Sequence, residues 1–181
     1  MDAISSQSTD VKLDILALDH ATLLYDRALK DTSFRSNFIE LINLGEYAQY
    51  ISKVVPKYFG SEGLMCCCPS FVALHWGIAG TKSKILVYKN AFDSKIHKNF
   101  ADFYSTLVFH EGFHAKENYN GDALNGPHSF DVYSRKLFDT KKELRAYTNQ
   151  ISNISNANSE DYVSIIKERI EMCNKIISKF S

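Results

Sequence analysis

Residues 101–117 read ADFYSTLVFHEGFHAKE, and this stretch decides how the rest of the chain is understood. Ala101 to Phe109 is an almost uninterrupted apolar run that continues through His110-Glu111-Gly112-Phe113-His114 to Glu117. Phe103, Leu107, His110 and His114 follow one another at steps of four, three and four, so the spacing predicts a helix with one buried face ending in two imidazoles. Residues 110–114 form an HExxH string, which chance would produce in a chain of this composition only about one time in a hundred. Imidazoles one helical turn apart can reach a single tetrahedral ion at about 2.0–2.1 Å. Glu111 is turned about 100° from the first of them, where it can meet a water without taking a coordination position. Gly112 costs the helix about 1 kcal/mol relative to Ala, a cost that a metal tie between the flanking histidines would offset.

A catalytic zinc site needs a third protein ligand and one open position. Asn120 stands where a metzincin would place its third histidine, which leaves Asp122, His128, Asp131 and Glu143 as candidates. Glu143, in the string KELRAY, is the favoured choice, because 29 residues allow a loop and a returning helix to bring it beside His114. Two alternatives stay open: Thr140-Lys-Lys-Glu143 also reads as a helix capping box, and His128 is a competing ligand.

Around this centre the pattern is mostly helical. Leu13, Leu16, Ala17, Ala21, Leu24 and Ala28, then Phe34 to Val55, recur at helical spacing as far as Pro56. Phe71–Trp76 and Lys84–Lys89 are short runs rich in Val, Ile, Leu and aromatics, separated by a turn-forming stretch, and predict a hairpin. Asp93–Asn99 is a polar connection, Asn118–Pro127 is a loop by composition, and a further helix runs from Ser129 toward Gln150. A last helix, capped by Ser159, spans 159–180 with Tyr162, Ile166, Ile170, Cys173, Ile177 and Phe180 on one stripe. The expected fold is α+β: a mostly helical single domain over 1–181, with a small β-sheet or hairpin packed beside the HExxH helix. Its catalytic core is placed at about 70–150, between flanking helices at 11–58 and 159–180.

Composition narrows the function classes. The 181 residues carry 21 Lys+Arg against 21 Asp+Glu, and this neutral balance lacks the basic footprint of a nucleic-acid binder. The longest uncharged stretch, Gly63–Thr81, is broken by Pro69, Gly77 and Gly80, so no membrane span is expected. The first ten residues are polar and do not resemble a signal peptide, which favours a cytoplasmic location. Cys66, Cys67, Cys68 and Cys173 offer neither a CxxC pair nor a disulfide framework, and no part in the metal site is expected of them. No signal for oligomerisation is evident.

The HEGFH string, followed after a loop by a helix with E-x-x-A-Y, resembles the compact gluzincin-type zinc metallopeptidases, in particular the minigluzincins. The similarity covers roughly residues 70–150. It implies Zn²⁺ as cofactor, His110, His114 and Glu143 as its ligands, and Glu111 as general base acting on a zinc-activated water. The expected activity is hydrolysis of a peptide or protein substrate, with Tyr133, Tyr147 or His128 as candidate donors to the oxyanion and the Ile85–Tyr88 strand aligning the peptide. Two other readings accompany it: a non-catalytic zinc-binding protein whose cleft is plugged by its own helices, and a protease effector or toxin secreted without a signal peptide.

Overall fold

The structure is a computed structural model, and it describes residues 22–23, 25–30, 72–76, 80, 84–87, 89–121 and 131–180. The expected strands pair: β1 (Ala73–Trp76) runs antiparallel to β2 (Lys84–Val87), with Ala73 opposite Val87 and His75 opposite Ile85. A 3₁₀ turn, Lys89–Phe92, follows. Helix α1 then runs without a break through Phe100–Tyr104, a π-helical stretch Ser105–Glu111, and Gly112–Tyr119. Helices α2 (Val132–Ser152) and α3 (Glu160–Ile177) complete the described part.

The expected α+β class is corrected. The described residues are mostly helical. The extended backbone among the described residues is one pair of four-residue strands, a ribbon and not the small sheet expected beside the helix. Local apolar runs revealed where the backbone extends, but a layer needs three or more strands, or long ones, to carry a hydrophobic face of its own. Here the two short strands bury their apolar side chains against the motif helix.

Each helix begins where a side chain satisfies its free N–H groups. Asn99 accepts from the Asp102 N–H at 3.0 Å, Asp131 from those of Tyr133 and Ser134, and Ser159 from that of Tyr162. Gly121, with φ of 82°, follows the end of α1 in the left-handed conformation that a residue with a Cβ resists. Gly80 (φ 77°) lies between the strands and donates its N–H to the Asn118 carbonyl at 2.8 Å, tying the β1–β2 connection to the end of α1.

The core lies between the ribbon and α1. Ile85, Val87, Ala91, Phe103, Leu107 and Ala115 are fully buried there. Tyr25, from a helical segment at 25–30, brings its ring to 5.1–6.2 Å from those of Phe92, Phe100 and Phe103. Most of the flanking region 11–58 lies outside the described residues, as do Cys66, Cys67 and Cys68. On α3 the expected stripe is present, with Tyr162, Ile166 and Cys173 buried, the last as a free thiol.

Candidate metal centre

The π-helical stretch carries the first half of the motif. The Gly112 N–H donates to the Leu107 carbonyl, five residues back, and the helix resumes its α form from Gly112. Single π turns inside α-helices occur frequently at functional sites, because they re-aim side chains that an α-helix would place elsewhere. His110, Glu111 and His114 are all buried, between 6% and 8% exposed. Their ring and carboxyl groups face a cavity of about 710 Å³ whose far wall is built by α2 and α3.

Glu143 enters from α2. Its Oε2 is 3.4 Å from His110 Nε2, and its Oε1 is 3.2 Å from His114 Nε2. The two imidazole nitrogens and the carboxylate oxygen lie within 4.8 Å of one another, a set that could hold a metal ion. The capping alternative for Glu143 disappears, because α2 begins at Val132 and places Glu143 in mid-helix; the Thr140 hydroxyl donates to the Lys136 carbonyl instead.

The electrostatics match a cation site. Burial alone would raise the Glu143 carboxyl pKa, but the two imidazoles outweigh it and hold the group well below the usual carboxylate range. Burial likewise works against a charged His110, yet Glu143 and Glu111 beside it raise its proton affinity overall. Buried His114 Nε2 has no hydrogen-bond partner of good geometry. Buried polar atoms are rarely left so, and an ion held between the rings and the carboxylate would satisfy it. Two imidazoles with one carboxylate and room for a fourth ligand is the donor set of catalytic zinc sites, so the residues fit the metal.

Glu111 is held differently. Its Oε2 accepts the backbone N–H of His75 at 2.8 Å, from the edge of β1 turned away from β2, and so anchors the carboxylate beside the cluster. The His75 ring also lines the cavity, 6.2 Å from that of His114. Burial, reinforced by His114 and Lys142, pushes its pKa down to about 4.

The three candidate oxyanion donors separate. Tyr147 lines the cavity and packs its ring 4.3 Å from that of His110. Burial, with Glu143 next to it, pushes its pKa well up, so the hydroxyl keeps its proton and can donate. Tyr133 is 69% exposed, with its ring 6.1 Å from that of Phe180, and is not brought to the cavity. His128 and Asp122 lie outside the described residues. Asp131 is exposed and is the N-cap of α2.

Several polar residues around the site escaped the sequence reading. His97 stands in a stretch that reads as a polar connection, yet it is 4% exposed and hydrogen-bonded through both ring nitrogens. Gln150 and Tyr162 are buried at the back of the cavity and bonded to each other. Only the stripe on α3 hinted at one of them, Tyr162. Asn149, exposed on one side, donates to the Phe109 carbonyl at 2.7 Å, which fastens α2 to the motif helix next to His110. No family model matches the chain, and neither does any curated protein or solved structure.

Proposed function

We propose that this chain is a zinc-dependent metallopeptidase of gluzincin type. The observation that supports the reading is the convergence of His110 and His114 on α1 with Glu143 on α2, with Glu111 anchored alongside. When bound by these three residues, zinc supplies a Lewis acid that polarises a carbonyl and lowers the pKa of water toward neutrality.

The remaining chemistry belongs to the chain. Glu111, with Oε2 tethered to the His75 N–H, takes up the proton of the attacking water and delivers it to the nitrogen of the breaking peptide bond. The water oxygen joins the carbonyl carbon as the C–N bond breaks, so that one acid and one amine leave. The Tyr147 hydroxyl, on a ring beside His110 and kept protonated by burial, donates to the carbonyl oxygen as charge develops on it. The cavity beside the cluster is large enough for several residues of a peptide.

The test combines metal analysis with cleavage of a broad peptide library. Near-stoichiometric zinc with hydrolysis that a chelator stops and added zinc restores is the expected result. Stoichiometric zinc without cleavage of any peptide or denatured protein would leave a zinc-binding protein and remove the peptidase.

A further inference from the structure

Behind the candidate metal centre runs a chain of buried polar groups whose hydrogen-bond directions can be worked out from one end. It starts at the Ala91 carbonyl, which can only accept, so His97 Nδ1 at 2.7 Å must carry a proton. Burial lowers the pKa of His97, and the ring is therefore neutral at ordinary pH and its Nε2 is an acceptor. The Thr106 hydroxyl, 2.9 Å away, donates to that nitrogen. With its own proton committed, Thr106 Oγ1 accepts from the Tyr162 hydroxyl at 2.7 Å. Tyr162 has then given up its proton as well, so it accepts the Gln150 Nε2–H at 2.5 Å.

Every step leaves one choice for the next, and the amide of Gln150 ends with Oε1 free. That oxygen is buried and has no partner of good geometry. Nearby, His110 Nδ1 is also buried and also without one. Gln150 and His110 line the same cavity, so the two buried atoms without partners both belong to its lining.

From this juxtaposition we infer that Gln150 is the positioning residue of His110: its Oε1 accepts the Nδ1–H, turning the Nε2 lone pair toward Glu143 and the ion, and the chain through Tyr162, Thr106 and His97 locks the amide in that orientation. The assignment rests on the metal-centre reading above and deepens it. It makes the last helix, α3, part of the metal site through the Tyr162 hydroxyl. Metal-bound histidines commonly hand their second ring proton to a fixed acceptor, and losing that acceptor typically weakens metal binding 10–100-fold.

Zinc affinity, measured on the full chain by competition with a chromophoric chelator, tests this without reference to catalysis. Gln150→Leu, of similar volume but with no acceptor, is expected to lose 10–100-fold in affinity. Gln150→Glu keeps an acceptor at the same place and should bind at least as well as wild type. Tyr162→Phe frees the amide to turn and should fall between wild type and Gln150→Leu. A purely packing role would be restored by Leu and not by Glu, the reverse order. Wild-type affinity in Gln150→Leu, folded by circular dichroism, overturns the assignment while leaving the metal centre standing. If Gln150→Leu does not fold, failure of Gln150→Glu and Tyr162→Phe to follow the stated order overturns it. Wild type with no tight zinc overturns the metal centre itself, and this assignment with it.

Discussion

The backbone N–H of His75 donates to Oε2 of Glu111 at 2.8 Å, joining residues 36 apart in sequence. This bond connects an edge of the ribbon to the motif helix at the carboxylate assigned to move the proton. A general base must be held in place and still keep a free basic atom. A carboxylate with one oxygen fixed by a backbone donor, on a residue that lines the cavity, suits both requirements.

Glu111→Gln should therefore separate binding from chemistry. The amide oxygen can still accept the His75 N–H, and none of the three proposed ligands is touched. Zinc per chain is expected to stay near one, while peptide hydrolysis falls by at least 10²-fold, the usual order for removing a general base. Elemental analysis and a cleavage assay on the same preparation check it. Retained turnover would mean that another group moves the proton.

His110→Ala, His114→Ala and Glu143→Ala should each lose tight zinc, since removing one of three protein ligands leaves the others poorly organised. Tyr133→Phe should change neither zinc content nor cleavage, because that hydroxyl stands on an exposed side chain at the start of α2. Tyr147→Phe should keep zinc and lower kcat, on the order of 10²-fold for one lost oxyanion donor. If Glu143→Ala holds zinc as tightly as wild type while His128→Ala does not, the third ligand is His128.

What could be read from the chain and what could not follows from the range of the interactions. Steps of three and four brought His110 and His114 together because both lie on one helix, where periodicity is a direct geometric rule. Glu143 was reachable because a loop followed by a returning helix has few ways to fold, and α2 begins early enough to remove its capping role. The fold class was misjudged because two strand-like runs say nothing about how many further strands join them. His97, Gln150 and Asp102 were invisible for a different reason. His97 and Gln150 stand in polar or mixed stretches and Asp102 is the one charge in an apolar run, and the burial of each is decided by partners up to 57 residues away. Single-sequence patterns record faces of helices, not the closure of hydrogen-bond networks between them.

The His75 ring gives the metal-free protein a pH signature. In the unfolded chain its pKa is near 6.5, and in the folded one burial, with His114 and Lys142, lowers it to about 4. Between those values the unfolded state binds more protons, so the His75 contribution is fully present above about pH 6.5 and is lost as pH falls toward 4. His97 acts in the same direction through its own burial. His110 opposes both, since its raised pKa gives stability that is present below 6.5 and lost as pH rises. Thermal melts of metal-free wild type and His75→Gln between pH 7.5 and 4.5 isolate the first effect. The wild type should lose more stability on acidification than the variant. Parallel curves would show that His75 is solvated in the native state.

Asp102 holds the joint between the motif helix and the last helix, and its loss should be among the costlier single changes. The residue is fully buried near the start of α1. Its Oδ2 accepts the Ser159 hydroxyl at 2.6 Å and the Lys98 N–H at 3.1 Å. Its Oδ1 accepts the Ser159 N–H at 2.9 Å and the Asn158 amide at 3.3 Å. Ser159 is the N-cap of α3, so one side chain fixes where that helix starts relative to α1. The ion pair of Lys98 with Asp161 crosses the same joint, but on exposed side chains where such pairs contribute little. Asp102→Ala would leave the Ser159 and Lys98 donors to find water or remain unpaired, a loss of about 3 kcal/mol for a buried, multiply bonded group. At this chain length that corresponds to a fall in Tm of roughly 10 °C. Asp102→Asn keeps one acceptor oxygen and should lose less than half as much. Because Tyr162 rides on α3, Asp102→Ala should also loosen zinc, through the displaced helix, whereas Lys98→Ala should change neither stability nor zinc affinity measurably. Denaturant melts of the three variants, with zinc titrations on the folded ones, distinguish the joint from an ordinary surface contact. Equal stability of Asp102→Ala and wild type would mean that α3 is positioned by its apolar stripe alone.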